Sequence, residues 1–543
     1  MRKKAITPAV VWILAMSAAL LAPATSLQGA GEKVRRPEVA GSFYPADPKE
    51  LGKMLDGFLA KAATEQPQGQ LVALSVPHAG YEFSGQVAAY AFALLKGRKF
   101  ARVVVISPCH IEAFPFSSIY DGDAYATPLG TISIDKEFAK KLVAQSSLIK
   151  FSGRGHGEVQ GRGEHSLEVE LPFLQRTLGE FKLVPIVMGD QNYDMERALG
   201  VALAKLIQAE QKGAAAGSSL SGDTLIVASS DLSHFHPYDE AVRLDHKVLN
   251  AITEWDYFNM SQNFERRIWE ACGGGPIVAM MVAAERLGAN RARILKYANS
   301  GDVTGDKSRV VGYGAVAYTR ESAKVGDKTH AFSLGRQEKE ALLKIAKQSV
   351  YSAVKERKLY ECSSGGLQAL DQDRGAFVTL KEKGQLRCCI GYIAPMKPLC
   401  LTVRDVAAAA ALEDPRFRPV ELRELPELEY EVSVLSPLRR VTDIKQIKVG
   451  EHGLVMRKGD KEGLLLPQVP VEQHWDRTTF LEQTCVKSSL PPNAWKDPET
   501  DIFMFSALVF GDRTPSVQSD VSESPFPARE SRPGQSGRDS PHP

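Results

Sequence analysis

The chain has 543 residues, of which 43% are hydrophobic and 24% are charged. This composition is typical of globular proteins and excludes a fibrous or wholly disordered chain, and the length allows two large domains. Lysine and arginine number 67 against 65 aspartates and glutamates, so no charge excess indicates nucleic acid or an anionic membrane as a partner. Seven cysteines are too few for a disulfide scaffold.

The first 30 residues have the pattern of an export signal. Arg2 begins a positive segment, an apolar run of 13 residues extends from Val10 to Ala22, and small residues around Ala24 offer cleavage sites. The run is shorter than the roughly 20 residues of a spanning helix, although an uncleaved membrane anchor is the alternative. We expect an exported chain, periplasmic or secreted, with no stable membrane span once residues 1–30 are removed.

Between the two ends, the chain divides into two blocks. Residues 36–320 alternate apolar, strand-like runs with helical patterns, which indicates an α/β fold with a sheet flanked by helices. Residues 321–336 are mostly polar and are interpreted as a linker. Residues 337–511 open with a helix and continue with a hairpin, which favours a smaller α+β domain. Residues 512–543 have almost no apolar side chains, so we expect them to be disordered.

Three short apolar runs of the first block each end in a turn that carries a histidine. The runs are 71–76, 102–106 and 224–229, and the histidines are His78, His110 and His234. The loops at the carboxyl ends of parallel strands build the ligand site of α/β sheets, so three parallel strands would bring these histidines to one edge. A single one could be an ordinary surface or hydrogen-bonded histidine, and it is the repetition that favours a shared site.

A cysteine and an aspartate extend this pattern. Cys272 precedes a run of three glycines and a helical pattern, and the free N–H groups of a helix start stabilise a thiolate, the form that binds metals. An inert buried cysteine is the alternative. Asp231 stands three residues before His234, where a carboxylate can orient an imidazole, although helix capping would also explain it. For His165, structural and pocket roles are equally open.

Eight segments of the first block resemble the Memo family, named after a mediator of ErbB2-driven cell motility. They are PEVAGSFYPAD (37–47), PHAGYEFSG (77–85), SPCH (107–110), TPLG (127–130), EHSLEVELPFLQ (164–175), SSDLSH (229–234), CGGGP (272–276) and NSGDVTGDKSRVVGY (299–313). The resemblance covers about residues 36–320. It implies a fold related to the class III extradiol dioxygenases, which cleave aromatic rings.

The same resemblance implies a metal pocket formed by His78, His110 and Cys272. His234 would be the general acid/base, and Asp231 its orienting partner. Further pocket candidates are Tyr81, Cys109 and His165, of which Cys109 replaces the small residue that the family usually has there. Two imidazoles and a thiolate resemble the ligands of non-haem iron oxygenases with cysteine in place of the carboxylate, so Fe(II) is the expected cofactor and Cu or Zn are the alternatives.

The second block resembles the AMMECR domain family. The matching segments are LRCCIG (386–391), GLLLPQV (463–469), HW (474–475), FLEQTC (480–485) and AW (494–495). Cys388 departs from the family pattern, which usually has glycine there. Arg387, Cys389 and Cys485 are the candidates for a cleft. The two adjacent cysteines could also be plain strand residues, or form a vicinal disulfide in an oxidising compartment.

The two families occur together with a radical-SAM protein in the AmmeMemoRadiSam system, which implies such a protein as a partner. This chain has no CxxxCxxC motif, so it does not itself carry the radical-SAM activity. The common NTPase, zinc-protease and α/β-hydrolase signatures are also absent from the sequence. We expect a metal-dependent redox enzyme that acts on a small-molecule substrate. A non-catalytic module that binds a metal or a peptide is the alternative.

Overall fold

The computed structural model describes most of the chain, namely residues 32–62, 65–213, 224–322 and 332–512. These residues form two compact units, the first from residues up to 242 with 271–321, and the second from 243–270 with residues from 322 onward. The predicted signal, most of the predicted linker and nearly all of the predicted tail lie outside the described residues, so the proposed division at 321–336 stays a prediction. Among the described helices, none is long and apolar enough to cross a membrane.

Strands and helices are numbered in chain order. The strands are β1 (Val34–Arg35), β2 (Gln70–Val76), β3 (Arg102–Pro108), β4 (Ser117–Ile119), β5 (Ala124–Thr127), β6 (Gly130–Ser133), β7 (Ile149–Phe151), β8 (Glu158–Val159), β9 (Arg162–Gly163), β10 (Lys182–Met188), β11 (Thr224–Ser229), β12 (His234–His236), β13 (Arg291–Asn299), β14 (Val310–Arg320), β15 (Ala376–Glu382), β16 (Gln385–Tyr392), β17 (Leu428–Leu435), β18 (Arg439–Arg440), β19 (His452–Lys458), β20 (Lys461–Leu465) and β21 (Asp501–Gly511). The helices are α1 (Pro48–Lys61), α2 (Tyr81–Phe92), α3 (Lys136–Val143), α4 (Leu171–Leu178), α5 (Tyr193–Gly213), α6 (Tyr238–Thr253), α7 (Tyr257–Glu265), α8 (Gly274–Arg286), α9 (Ser300–Thr304), α10 (Arg336–Tyr351), α11 (Gln368–Asp371), α12 (Leu399–Leu412), α13 (Gln468–Glu472) and α14 (Arg477–Lys487).

The first unit is built on a mixed sheet of nine strands. Their order is β12, β14, β2, β11, β3, β10, β4 and β7, with β13 paired to β14. The centre of the sheet, from β2 through β11 and β3 to β10, is parallel. Strand β11 is buried at every position and β3 at all but its first, as expected for parallel strands that are covered on both faces. The α/β architecture predicted for the first block is therefore confirmed.

The three strands that precede the histidines end at one edge of this sheet. Strand β11 pairs with β2 as far as Ser229 opposite Val76, and with β3 as far as Ala228 opposite Ile106. The histidines that follow these three strands are His78, His110 and His234. The predicted parallel arrangement is confirmed, and it brings the three loops to the carboxyl ends of neighbouring strands, where α/β proteins place their ligand sites.

The second unit contains an antiparallel sheet of seven strands. Their order is β16, β15, β17, β21, β19 and β20, with β18 paired to β21. The predicted hairpin is confirmed, because β15 and β16 pair from Ala376 opposite Tyr392 to Glu382 opposite Gln385. Both residues of its two-residue turn have positive φ, as in the tight turns that match the twist of a hairpin. The predicted opening helix is α10, which continues into a π-helical turn over Ser352–Glu356.

A buried aspartate joins residues 243–270 to the rest of the second unit. Asp373 is 3% exposed, and its Oδ2 accepts hydrogen bonds from Trp269 Nε1 at 2.9 Å and from Lys247 Nζ at 3.1 Å. Hydrogen bonds to charged groups contribute more than neutral ones, and a buried donor that loses its acceptor is costly. Asp373 is therefore a principal polar anchor of this segment.

Replacement of Asp373 by alanine should lower the free energy of unfolding of the second unit by about 1.5–3 kcal/mol, because two donors lose their acceptor. Urea unfolding followed by tryptophan fluorescence measures this change. Asp460→Ala, at an exposed position, is the matched control and should change it by less than about 0.5 kcal/mol. Equal stability of the two variants would contradict the anchoring role.

Candidate metal centre

Three imidazoles surround one small volume at the carboxyl edge of the parallel strands. One ring nitrogen from each of His78, His110 and His165 lies within 4.8 Å of the other two, and the ring centroids are 4.7 to 5.4 Å apart. Two nitrogens bound to one ion at about 2.1 Å are no more than about 4.2 Å apart. A bound ion therefore requires the rings to close by only about half an ångström.

The sulfur of Cys272 joins this group on the side of His78. Its Sγ lies 3.1 Å from His78 Nε2, and the backbone N–H of Asp231 donates to it at 3.2 Å. Gly273 makes this position accessible, because a Cβ there would lie 2.2 Å from the carbonyl oxygen of Ser229. Only glycine permits so close an approach between the start of α8 and the end of β11.

The protonation of Cys272 differs from the expectation. Burial raises the pKa of the thiol well above its usual value, and the Asp231 carboxylate raises it further, which outweighs the hydrogen bonds from backbone N–H groups. The backbone N–H groups at the helix start lower the thiol pKa in the expected direction, and burial outweighs them. At neutral pH the sulfur carries a proton, which a metal must displace in order to bind.

A buried carboxylate holds two of the imidazoles in place. Glu164 accepts hydrogen bonds from the backbone N–H of His110 at 2.5 Å and from those of His165 and Ser166 at 3.0 Å, and its Oε1 lies 3.1 Å from His110 Nδ1. Burial by itself would raise the pKa of Glu164, but the His110 side chain and these N–H groups lower it to about 2. Because the ionised carboxylate engages Nδ1, Nε2 of His110 is left for an ion, as in carboxylate–histidine–metal sites.

Burial also keeps the imidazoles of His78 and His165 neutral, which is the form that binds metals. It lowers the pKa of His78 well below its usual value and that of His165 to about 4, and the neighbouring His110 lowers both further. His78 is 1% exposed, whereas the side chains of His110 and His165 are 26% and 20% exposed. The site therefore opens to solvent on the side of these two residues.

Asp231 and His234 lie beside the imidazoles. The Asp231 carboxylate accepts the backbone N–H groups of His78, at 2.8 Å, and of Ala79. Burial raises the pKa of Asp231 to about 7 in spite of these hydrogen bonds. Nδ1 of His234 lies 2.8 Å from the carbonyl oxygen of Leu232. A carbonyl can only accept, so His234 carries a proton on Nδ1.

Two further pocket candidates of the first unit have structural contacts. The Tyr81 hydroxyl donates to the carbonyl oxygen of Val169 at 2.6 Å. Cys109 packs against the apolar core, and burial raises the pKa of its thiol to about 11. The remaining candidate, His165, belongs to the imidazole group itself.

The cleft candidates of the second unit lie in two different places. Arg387 is paired with Glu424 at 3.0 Å. Cys389 lies in β16, where the Thr379 hydroxyl donates to its sulfur at 3.3 Å, whereas Cys485 is buried in a separate apolar cluster. All seven cysteines are free. Cys388 and Cys389 are successive residues of β16, whose side chains point to opposite faces of the sheet.

The residues that support the imidazoles were not predicted. Glu168 accepts the Tyr44 hydroxyl at 2.5 Å and pairs with the buried Arg35. Glu164 and Glu170 belong to the same short segment, and all three glutamates are buried. The sequence signal for this group was three glutamates within a segment of seven residues. Acidic residues ahead of a helix are, however, also explained by the helix dipole.

Both halves of the chain match known families. Residues 35–317 match the family model of Memo-like proteins, and residues 343–510 match that of AMMECR1. The MEMO1 family protein MK0963 of Methanopyrus kandleri is 37% identical over 53% of this chain and 99% of its own length. The MEMO1 family protein of Aeropyrum pernix is 39% identical over 52% of this chain and 99% of its own length. The MEMO1 family protein of Sulfolobus acidocaldarius is 37% identical over the same shares.

Replacement of Glu164 by glutamine should weaken metal binding by about 10- to 100-fold, the usual effect of losing a carboxylate that orients a ligand histidine. Competition titration of Zn²⁺ or Co²⁺ against a chromophoric chelator measures it. Glu112→Gln is the matched control, because that carboxylate binds Arg154 and the Gly155 N–H instead of His110. Equal affinities of the two variants would contradict the supporting role of Glu164.

Proposed function

Because this chain belongs to the Memo family and carries an AMMECR1-type domain after it, we propose that its first unit is a mononuclear metal-dependent redox enzyme acting on a small organic substrate with dioxygen. The observation that carries the proposal is the histidine group. The nitrogens of His78, His110 and His165 lie within 4.8 Å of one another, and the Cys272 sulfur is 3.1 Å from His78 Nε2.

The chemistry of the donors supports a transition metal. Neutral imidazoles and a thiol that can lose its proton suit iron, copper or zinc, whereas magnesium and calcium prefer oxygen ligands. We assign the ligands to His78, His110 and Cys272, with Fe(II) as the metal and Cu or Zn as alternatives. Bound iron would supply redox chemistry with dioxygen.

His165 determines whether such a site is open or closed. If it binds together with the other three residues, a tetrahedral ion has four protein ligands and no position for a substrate, as in structural zinc sites. If it does not bind, three protein ligands leave positions open. His165 is partly exposed and its ring lies 4.6 Å from that of Phe43. These contacts favour a place beside the substrate at the mouth of the site.

His234 and Asp231 are proposed as the catalytic residues of this chain. With its proton on Nδ1, His234 can take a proton from a substrate hydroxyl at Nε2 and return it to the product. Asp231 holds the backbone of the His78 loop and places a carboxyl group beside the ligands. A binding module has no need of a base here.

Two further proposals concern the setting of the protein. The pattern of residues 1–30 supports export to the periplasm or secretion. If the signal is cleaved, mass spectrometry of the native protein should find a mature chain that begins between about Thr25 and Gly31. The fusion of a Memo-type and an AMMECR1-type domain in one chain supports the radical-SAM protein of the AmmeMemoRadiSam system as a partner.

Metal analysis of anaerobically purified variants should separate ligands from their neighbours. His78→Ala and Cys272→Ser each remove a donor and should sharply lower the metal bound per chain, whereas Asp231→Asn and His234→Gln should retain most of it. Because the Cys272 pKa is raised, affinity should increase with pH as the thiol proton becomes easier to displace. Full metal in Cys272→Ser together with loss in His234→Gln would reverse the assignment.

Dioxygen uptake by the iron-loaded protein with a panel of catechols tests the catalytic proposal. His234→Gln should lower turnover by about 10²–10⁴-fold, as expected for a lost general acid or base. His165→Gln should keep the metal and lose turnover. No uptake in the wild type, with metal lost from His165→Gln, would favour the second candidate function, a closed metal-binding or peptide-binding module.

A further inference from the structure

Ser229 lies at the centre of a buried hydrogen-bond cluster behind His78. It is the last residue of β11 and is fully buried. Its Oγ is 2.9 Å from His78 Nδ1, 2.7 Å from the carbonyl oxygen of Ser166 and 2.6 Å from Glu170 Oε1. His78 and Glu170 are each 1% exposed. The positions of the protons in this cluster therefore follow from its own donors and acceptors.

The hydroxyl of Ser229 has one proton to donate and two lone pairs to accept with. The Ser166 carbonyl can only accept, so at 2.7 Å it takes the hydroxyl proton. The other two neighbours must then donate to Ser229 Oγ. His78 donates from Nδ1, and Glu170 donates from a protonated carboxyl group.

Any other assignment leaves two oxygen atoms in contact without a proton between them. If Glu170 were ionised and accepted the Ser229 proton, the Ser229 hydroxyl and the Ser166 carbonyl would face each other as acceptors at 2.7 Å. A buried polar contact of this kind is unfavourable because water cannot relieve it. Burial also raises the pKa of Glu170 well above its usual value, against the Ser229 hydrogen bond and together with the charge of Asp231.

We propose that Ser229 and a neutral Glu170 are positioning residues that fix the proton of His78 on Nδ1 and present its Nε2 lone pair to the metal position. The claim that this arrangement favours metal binding rests on the proposed function. The proton positions do not depend on a metal, because every donor and acceptor of the cluster belongs to the protein, and they are tested independently.

The contact on the opposite side of the ring agrees with this assignment. Cys272 Sγ lies 3.1 Å from His78 Nε2. With its proton on Nδ1, His78 presents the Nε2 lone pair toward this sulfur, so it needs no change of tautomer to bind a cation there.

The two histidine ligands are consequently supported in different ways. Nδ1 of His110 faces the ionised carboxylate of Glu164, whereas Nδ1 of His78 faces a neutral hydroxyl. A neutral Glu170 behind His78 avoids a further negative charge beside Asp231.

Infrared difference spectra between the wild type and Glu170→Gln test the proton on Glu170. At about pH 8, above the pKa of about 7 for Asp231, the variant should lack one protonated-carboxyl band that shifts in D₂O. In the matched control Glu112→Gln, whose carboxylate pairs with Arg154, ionised-carboxylate bands should be lost instead. Loss of ionised-carboxylate bands in Glu170→Gln would overturn the proposal.

Nitrogen-15 spectra of histidine-labelled wild-type protein test the proton on His78 and do not depend on the folding of a variant at Glu170. His78, identified by comparison with His78→Gln, should show a protonated Nδ1 and an unprotonated Nε2. A proton on Nε2 would overturn the proposal. In Ser229→Ala the acceptor for Nδ1–H is lost, and we expect both tautomers.

Titration with Zn²⁺ or Co²⁺ separates this proposal from the proposed function. Ser229→Ala should bind the metal about 10- to 100-fold more weakly. Glu170→Ala removes a donor to Ser229 Oγ and should also weaken binding, whereas the amide N–H of Glu170→Gln replaces that donor and should restore the affinity. Unchanged affinity in Ser229→Ala would overturn the positioning role. If the wild type binds no metal, the proposed function fails, and the two spectroscopic tests still decide the proton positions.

Discussion

The candidate site depends on the matched ends of three parallel strands. Strand β11 lies between β2 and β3, and Ser229 at its end stands opposite Val76. Because side chains alternate along a strand, a shift of one residue would turn Ser229 to the opposite face of the sheet and away from His78. The register of these strands therefore determines which side chains and which loops meet at the edge of the sheet.

Around this edge, the environment assigns different charges to three buried acids. Glu164 is ionised because His110 and several backbone N–H groups stabilise its charge. Glu170 faces the Ser229 hydroxyl and Asp231, and burial raises its pKa well above the usual value. Burial raises the pKa of Asp231 less, to about 7. The unequal surroundings of these acids thus separate their protonation. The Glu164 carboxylate, which contacts His110 Nδ1, would therefore supply a negative charge near a bound cation.

Much of the fold and part of the site could be predicted from the sequence. Apolar runs that end before His78, His110 and His234 gave the parallel strands, because burial and turn residues are local signals. The hairpin was predictable for the same reason. The partners of Ser229 were not, since Glu170 is 59 residues away in the chain and sequence spacing carries no information about such contacts. The raised pKa of Cys272 was missed because desolvation depends on what covers a residue, and the helix start alone suggested the opposite.

The proximity of His78 and Cys272 has a topological consequence. These two residues are 194 positions apart in the chain. An ion held by both would bind only where the fold brings these distant residues together, and not the unfolded chain. Its binding free energy would therefore add to the stability of the first unit, in proportion to the logarithm of the free ion concentration once this exceeds the dissociation constant. The supply of the ion would thus set how stable the first unit is.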